Sequence, residues 1–404
     1  MKAIGLVVEY NPFHNGHLYH LQKSKEDADA DVVICVMSGY YLQRGEPAGF
    51  DRKTRTEMAL SCGADVVVEL PYTYSTQHAS LFARGSISIL DGLLADAFYF
   101  GSESGDIDSF LALDAFMIEH EQLLQHHLRQ GLDEGYSYPR AQAYAFNLLH
   151  APASYPDLSQ PNNILGYEYV KATRELGARI QPQTITRIGS GYHSEQLDDA
   201  LTIASATAIR KTLHSEGKSD VGAYMPAYCE RAIQHQPLIT WADYYPLLQH
   251  VLLTTAPDHL GEIYEAEEGI HHRLIAAAKQ ARDFQTFMET VKTKRYTWTR
   301  IQRLLVHVLT NTSKDDMRAS FGESCTPRSV RLLGFTETGQ SYLRSIKKTT
   351  ALHLYHRPPR QKGAQERLDE KAAIAYYSHA HPDERVERYK EEYGPPVVVR
   401  HSVK

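Results

Sequence analysis

Over the first hundred residues, short apolar runs alternate with longer amphipathic stretches. Ala3–Val8, Asp31–Met37, Asp65–Leu70 and Ala97–Phe100 are dense in Val, Ile and Phe, the composition of strands buried on both faces. Between them Gly16–Lys25, Arg52–Cys62 and Gln77–Leu93 repeat their apolar positions at helical spacing. Strand, helix, strand in regular succession predicts an α/β fold with a Rossmann-like parallel sheet, whose ligands bind at the carboxyl ends of the strands. The rhythm breaks at about 104–160, where a long helical stretch (Ile107–Gln130) and a second (Pro139–Leu149) read as a helical insertion. It resumes with a helix at Ile164–Leu176, a strand at Ile180–Ile185, a Gly/Ser loop at Gly189–Ser194 and a helix opening near Ser205. After about 225 helical patterns dominate (Tyr244–Leu253, His272–Thr290, Trp298–Leu309). The expected division is therefore a catalytic unit over 1–225 and a mainly helical domain over 226–404, with a partly irregular tail from Arg357.

A length of 404 residues suits two or three domains. A net charge of −6 argues against a uniformly basic nucleic-acid coat but leaves room for a local basic patch. Cys35, Cys62, Cys229 and Cys325 are scattered and form no CxxC pair, so the spacing gives neither a zinc site nor a disulfide framework. No apolar run reaches membrane-span length, and the first residues lack a signal-peptide pattern. Cytoplasmic placement, with no membrane partner, is the expectation.

The chemistry is densest where the first strand meets the first helix. Val7, Val8, Glu9, Tyr10, Asn11, Pro12, Phe13, His14, Asn15, Gly16, His17, Leu18, Tyr19 and His20 span a strand end, a tight loop and a helix start. Unpaired N–H groups and the positive end of the helix dipole make such a start a phosphate seat, and His14 and His17, three residues apart, share one face. Gly16 lets the backbone approach a ligand closely. Two other readings stay open: histidines that merely cap a helix, and a zinc site, although the pair lacks the Glu of HExxH and a nearby third ligand. A second start stands at Ser205-Ala206-Thr207-Ala208-Ile209-Arg210-Lys211. Hydroxyls on Ser205 and Thr207, with the cations of Arg210 and Lys211 one turn in, suit a second phosphate cradle, though an ordinary capped surface helix explains them equally.

Gln43-Arg44-Gly45-Glu46-Pro47 follows the second strand at the ligand edge, where Arg44 is a candidate to face a carboxylate. Its plainer reading is a rigid surface loop. Lys292-Thr293-Lys294-Arg295-Tyr296-Thr297-Trp298-Thr299-Arg300, with Arg303, interleaves cations and aromatics, which suits phosphate pairing and base stacking, or else a solvated helix start.

His14-Asn15-Gly16-His17 and Ala204-Ser205-Ala206-Thr207-Ala208-Ile209-Arg210 resemble the two signatures of the HIGH-type nucleotidyltransferase superfamily, the second departing from its pattern at Ala204 and Ala206. Longer phrases, MSGYYLQRGEPA (Met37–Ala48), GADVVVELPY (Gly63–Tyr72), FGSESGD (Phe100–Asp106), NNILGYEY (Asn162–Tyr169) and RLLGFTETG (Arg331–Gly339), extend the resemblance over nearly the whole chain, to the bacterial family within it that acetylates tRNA. That resemblance implies an enzyme that spends ATP and acetate to place an acetyl group on N4 of the wobble cytidine of elongator tRNA(Met), by way of acetyl-adenylate. It implies ATP contacts along Val7–His20 and at Gly101, Asn162 and Arg187, and leads one to expect Mg²⁺, for which the sequence marks no seat. The motifs alone also fit a metabolic adenylyltransferase, or a non-catalytic nucleotide-responsive RNA-binding protein.

Overall fold

The computed structural model describes the chain except Ser137, residues 189–201, residues 216–220, His235 and residues 401–404. The expected loop Gly189–Ser194 lies outside the described residues.

Five strands, β1 (Ala3–Val8), β2 (Val32–Ser38), β3 (Val66–Leu70), β4 (Ala97–Ser102) and β5 (Gln181–Thr186), pair in parallel in the order β5-β4-β1-β2-β3. Helices Asn15–Asp27, Arg52–Ser61, Ala79–Gly92 and Pro161–Leu176 connect or flank them. β1 has β2 on one side and β4 on the other, so the strand order reverses there. The crevice outside the carboxyl ends of β1 and β4 is the place where such sheets bind ligands. One apolar core, including Ile34, Val68 and Phe98, fills one side of the sheet. A second, including Ile4, Leu6, Phe13 and Ile209, fills the other.

The parallel α/β sheet expected from the pattern is present, but the sheet is mixed. β6 (Ser329–Thr336) inserts beside β3 in antiparallel sense, with β7 (His353–Tyr355) and β8 (Val397–Val399) pairing to it. Local periodicity could not reveal this, because Val66 faces Phe335 across most of the chain. The sheet thus crosses the expected 225/226 line. The third core does so too: Tyr40, Tyr41, Leu42, Ala48 and Tyr72 pack with Tyr244, Leu304 and Tyr376 of the later helices.

Two expected helices are each divided. Ile107–Gln130 breaks at His120 into Ile107–Glu119 and Glu121–Asp133, where the His120 ring turns back on Phe116, its Nδ1 3.0 Å from the Phe116 carbonyl. His272–Thr290 is Ile270–Ala278 and Phe284–Val291. Asp283 starts the second piece by accepting the Thr286 N–H at 2.7 Å. The tail is more regular than its composition suggests. Ala364–Tyr377 buries Leu368, Ala372, Ala373, Tyr376 and Tyr377, and Pro382–Glu391 follows with Pro at its start.

Candidate active site

At the end of β1 the chain turns through Glu9–Phe13 into the helix Asn15–Asp27. Its cap is built from two imidazoles. His14 Nδ1 accepts the Gly16 N–H at 3.1 Å, and His17 Nδ1 accepts the His14 N–H at 3.4 Å. The rings stack with centroids 3.7 Å apart and 26° between planes. Since both Nδ1 atoms accept, each ring carries its proton on Nε2, leaving one N–H per ring for a ligand. Gly16 is required here, for a Cβ would lie 2.9 Å from His14 Cε1. Burial is the main cause that pushes His14 down to about 3, helped by Arg187 and Arg210. His17 is likewise held well below its ordinary value by burial, then by His14 and Arg187. Burial and Arg187 take His20, one turn on, to about 4, and its buried Nε2 has no partner. These histidines are neutral donors, and the fixed positive charge of the site comes from arginines.

Arg187 directly follows β5 and its stem packs over β4. A Cβ on Gly101 would stand 3.2 Å from Arg187 Cγ. Asn162, at the start of Pro161–Leu176, donates through Nδ2 to Glu103 at 2.6 Å, and the Asn163 N–H reaches the other Glu103 oxygen at 2.9 Å. Glu103 was not singled out in the sequence, although it lies inside the FGSESGD phrase.

The second motif is a capped helix start. Ser205 Oγ accepts the Ala208 N–H at 3.1 Å, ahead of the helix Ala206–Ser215. Arg210 then joins three segments, donating to the Asn11 carbonyl at 2.9 Å and to Glu46 at 3.0 Å. Asn15 adds a second tie, its Nδ2 donating to the carbonyls of Thr202 (2.8 Å) and Ala223 (3.0 Å).

These parts enclose a cavity of about 1190 Å³, beyond the roughly 300–1,000 Å³ common for small-ligand sites. Of the expected residues, Val7, Val8, Glu9, Tyr10, His14, Gly16, His17, Tyr19, His20, Gly101, Asn162, Arg187, Ser205, Thr207 and Arg210 line it. Asn11, Pro12, Phe13, Asn15, Leu18 and Lys211 are not on its wall. Phe13 is fully buried in the core, and Asn11 and Asn15 are spent on the backbone contacts of Gly49, Thr202 and Ala223. Lys211 is exposed, because one residue along a helix turns the side chain about 100° away from Arg210. Glu9 is half-buried with its carboxyl raised, desolvation being the largest cause, while it accepts the Gln43 N–H at 2.9 Å.

The cavity also has an outer wall, of which only the Gln43–Pro47 part was expected at the ligand edge. Arg44 and Glu46 line it, and so do Arg295, Thr297, Thr299, Arg300 and Arg303 from the start of Trp298–Leu309. Arg295 pairs with Glu268 at 2.7 Å and Arg303 with Glu265 at 2.9 Å, and the Arg300 guanidinium lies 5.3 Å from the centre of the Tyr296 ring. Trp298 is half-buried and packs against the helical core. Among the described residues no three His, Cys, Asp or Glu side chains converge as a metal seat, and no helix is long and apolar enough to cross a membrane.

The HIGH Nucleotidyl Transferase family model matches residues 1–392. Proteins named tRNA(Met) cytidine acetate ligase are similar along their whole length: that of Halalkalibacterium halodurans is 46% identical, covering 100% of this chain and 98% of its own. The Bacillus subtilis protein is 43% identical, over 98% and 96%. Among solved structures, Thermotoga maritima TmcAL in its apo form superposes with a TM-score of 0.90 at 30% identity over 99% of this chain and 100% of that one. The same protein bound with alpha-thio ATP gives 0.88 at 30% identity, over the same shares. With its two motifs on one crevice and these full-length likenesses, the chain belongs to the HIGH nucleotidyl transferase family and, within it, to the tRNA(Met) cytidine acetate ligases.

Proposed function

We propose that this protein is an ATP-dependent ligase that acetylates N4 of the wobble cytidine of elongator tRNA(Met) through acetyl-adenylate, releasing pyrophosphate and AMP in the cytoplasm. The observation that carries the reading is a single cavity with nucleotide-binding motifs on its inner wall and the basic start of Trp298–Leu309 on its outer wall. A metabolic adenylyltransferase has no use for that outer wall.

In the first step an acetate oxygen bonds to the α-phosphorus of ATP as the bond to pyrophosphate breaks. A carboxylate needs no base to attack, so the protein's task is to align the reactants and to meet charge developing on phosphate oxygens. His14 and His17 donate from Nε2, the two helix starts present backbone N–H groups, and Arg210 and Arg187 supply positive charge. Arg210 bound to the Asn11 carbonyl and to Glu46 keeps both motifs in one geometry. Mg²⁺ fits as an ion carried by polyphosphate oxygens and water, needing few protein carboxylates, and no step here depends on a protein ligand to it. In the second step the cytidine amine bonds to the acetyl carbon and the bond to AMP breaks. Activation by adenylation makes this feasible, because an amine conjugated to the pyrimidine ring is a weak nucleophile. Arg44, which lines the cavity beside Glu46, serves the acetate or cytidine end in this reading.

The test is to incubate the protein with ATP, labelled acetate and tRNA and to analyse the digested nucleosides by mass spectrometry. Labelled N4-acetylcytidine appearing in step with AMP is the expected result. A stable adenylylated small molecule would instead support the metabolic alternative. His17→Ala is expected to slow acetate-dependent ATP–pyrophosphate exchange by roughly 10²–10³, the loss seen when one oxyanion donor is removed. Exchange at the wild-type rate would remove His17 from the phosphate site.

A further inference from the structure

Three of the four cysteines gather in the core under the first motif. Cys35 and Cys229 are buried there and Cys62 packs at its edge, partly exposed. Cys62 ends the helix Arg52–Ser61 and Cys229 lies in Ala227–Ile233. Their Sγ atoms are 3.6 Å apart across 167 residues of sequence, so bonding requires only that the sulfurs close to about 2.05 Å. The scattered spacing gave no sign of this pairing.

We propose that Cys62 and Cys229 are a reversible redox pair that a low-molecular-weight disulfide oxidises to an intramolecular disulfide. The two thiols have different roles. Cys62 is reachable, and the hydrogen bond from Cys229 holds its thiol below the ordinary value. Cys229 is out of reach of solvent, and that same contact, followed by burial, pushes it far up. Cys62 is therefore the attacking thiolate and Cys229 the resolving thiol. The Cys62 sulfur bonds to one sulfur of the small disulfide, whose other half leaves as a thiol. Cys229 sulfur then bonds to Cys62 sulfur and the second half leaves. Two protein thiols lose two electrons, the small disulfide gains them, and the two cysteine protons end on the released thiols.

The other cysteines are set apart. Cys35 is buried 3.7 Å from the Tyr10 hydroxyl, and burial pushes its thiol up to about 12. Cys325 is outside this core, in the loop whose carbonyl takes the Arg84 Nε–H at 3.2 Å. The bond would also reach the site's framework. Val221, Tyr224 and Met225, just ahead of the Cys229 helix, share the core with Tyr10 and Phe13, and Asn15 holds the Ala223 carbonyl. Oxidation therefore ties the segment that follows the second motif to the helix packed under the sheet, and closing so long a loop restricts the unfolded chain.

To test this, the full-length protein is incubated with oxidised glutathione, alkylated, and mapped by peptide mass spectrometry, with thiols counted after denaturation. The expected result is a fall from four free thiols to two, a Cys62–Cys229 crosslinked peptide, a higher thermal midpoint, and full reversal by dithiothreitol. Cys229→Ser is expected to trap glutathione on Cys62, and Cys62→Ser to leave Cys229 unmodified. Four thiols persisting, a crosslink through Cys35 or Cys325, or a stable glutathione adduct on the wild-type chain without a crosslink would each overturn the proposal. The wild-type peptide map decides by itself if either serine variant fails to fold.

Discussion

His14 and His17 cap their helix with the Nδ1 atoms that a proton would have to occupy, so neutrality and structure are one requirement there. His307 shows the same electrostatics away from the phosphates. It is fully buried with Nδ1 2.6 Å from the Tyr72 hydroxyl, and burial, then Arg303, lowers it to about 3. The sign follows from linkage. Below the unfolded value of about 6.5 the unfolded chain binds a proton that the fold refuses, so stability is full above that pH and falls as pH drops toward 3. Each such histidine contributes a slope of about 1.4 kcal/mol per pH unit within that window. His307→Gln is expected to lower the slope of urea-unfolding free energy against pH by about that amount between about pH 6 and pH 4. An unchanged slope would mean that His307 titrates normally in the fold. At this scale the sequence was legible where it was periodic. His14, His17 and His20 recur every third residue and line one wall, whereas Leu21 turns into the core. Asn11–Phe13 are loop residues with no period, and nothing in their order told that Phe13 would point inward.

Among elements, the strands β1 to β5 were readable because each is an unbroken apolar run bounded by polar turns, and their parallel order follows from the helices between them. β6 was not, because a single strand carries no mark of a partner so distant in sequence. The start of Trp298–Leu309 lies between these cases. Its cations were evident, but their place on the cavity wall depends on tertiary packing, as does the half-burial of Trp298 against the helical core. Part of that charge is already engaged, Arg295 with Glu268. Neutralising Lys294, Arg295 and Arg300 together is expected to weaken tRNA binding and to lower the magnitude of the slope of log affinity against log salt by about one for each phosphate that the protein no longer neutralises. Filter binding over a salt series measures both. A parallel displacement of the line, with no change in slope, would mean that none of the three meets a phosphate.

For the whole molecule, the end of the chain is bound to the sheet that begins it. Glu392, one residue past Pro382–Glu391, pairs with Arg52 at 2.8 Å and Arg331 at 2.7 Å and also meets the Tyr40 hydroxyl. Burial alone would raise this carboxyl, but Arg52 and Arg331 overcome it and hold it below the usual carboxylate range. Arg52 also pairs with Glu69 at 2.5 Å. One acidic side chain from the tail thus compensates guanidinium groups in the helix after β2 and in β6, segments that no sequence window could have brought together. A buried ion pair adds little stability beyond an apolar replacement, but losing Glu392 strands Arg331 in a dry environment, while Arg52 keeps Glu69. Glu392→Ala should therefore cost about 3–5 kcal/mol, read as a lower urea midpoint. Replacing Arg331 by Met in that background should return part of the loss, since one stranded charge is removed with it. If Glu392→Ala costs less than about 1 kcal/mol, the range of an exposed pair, the Glu392 ion pairs are not what holds the tail to the sheet.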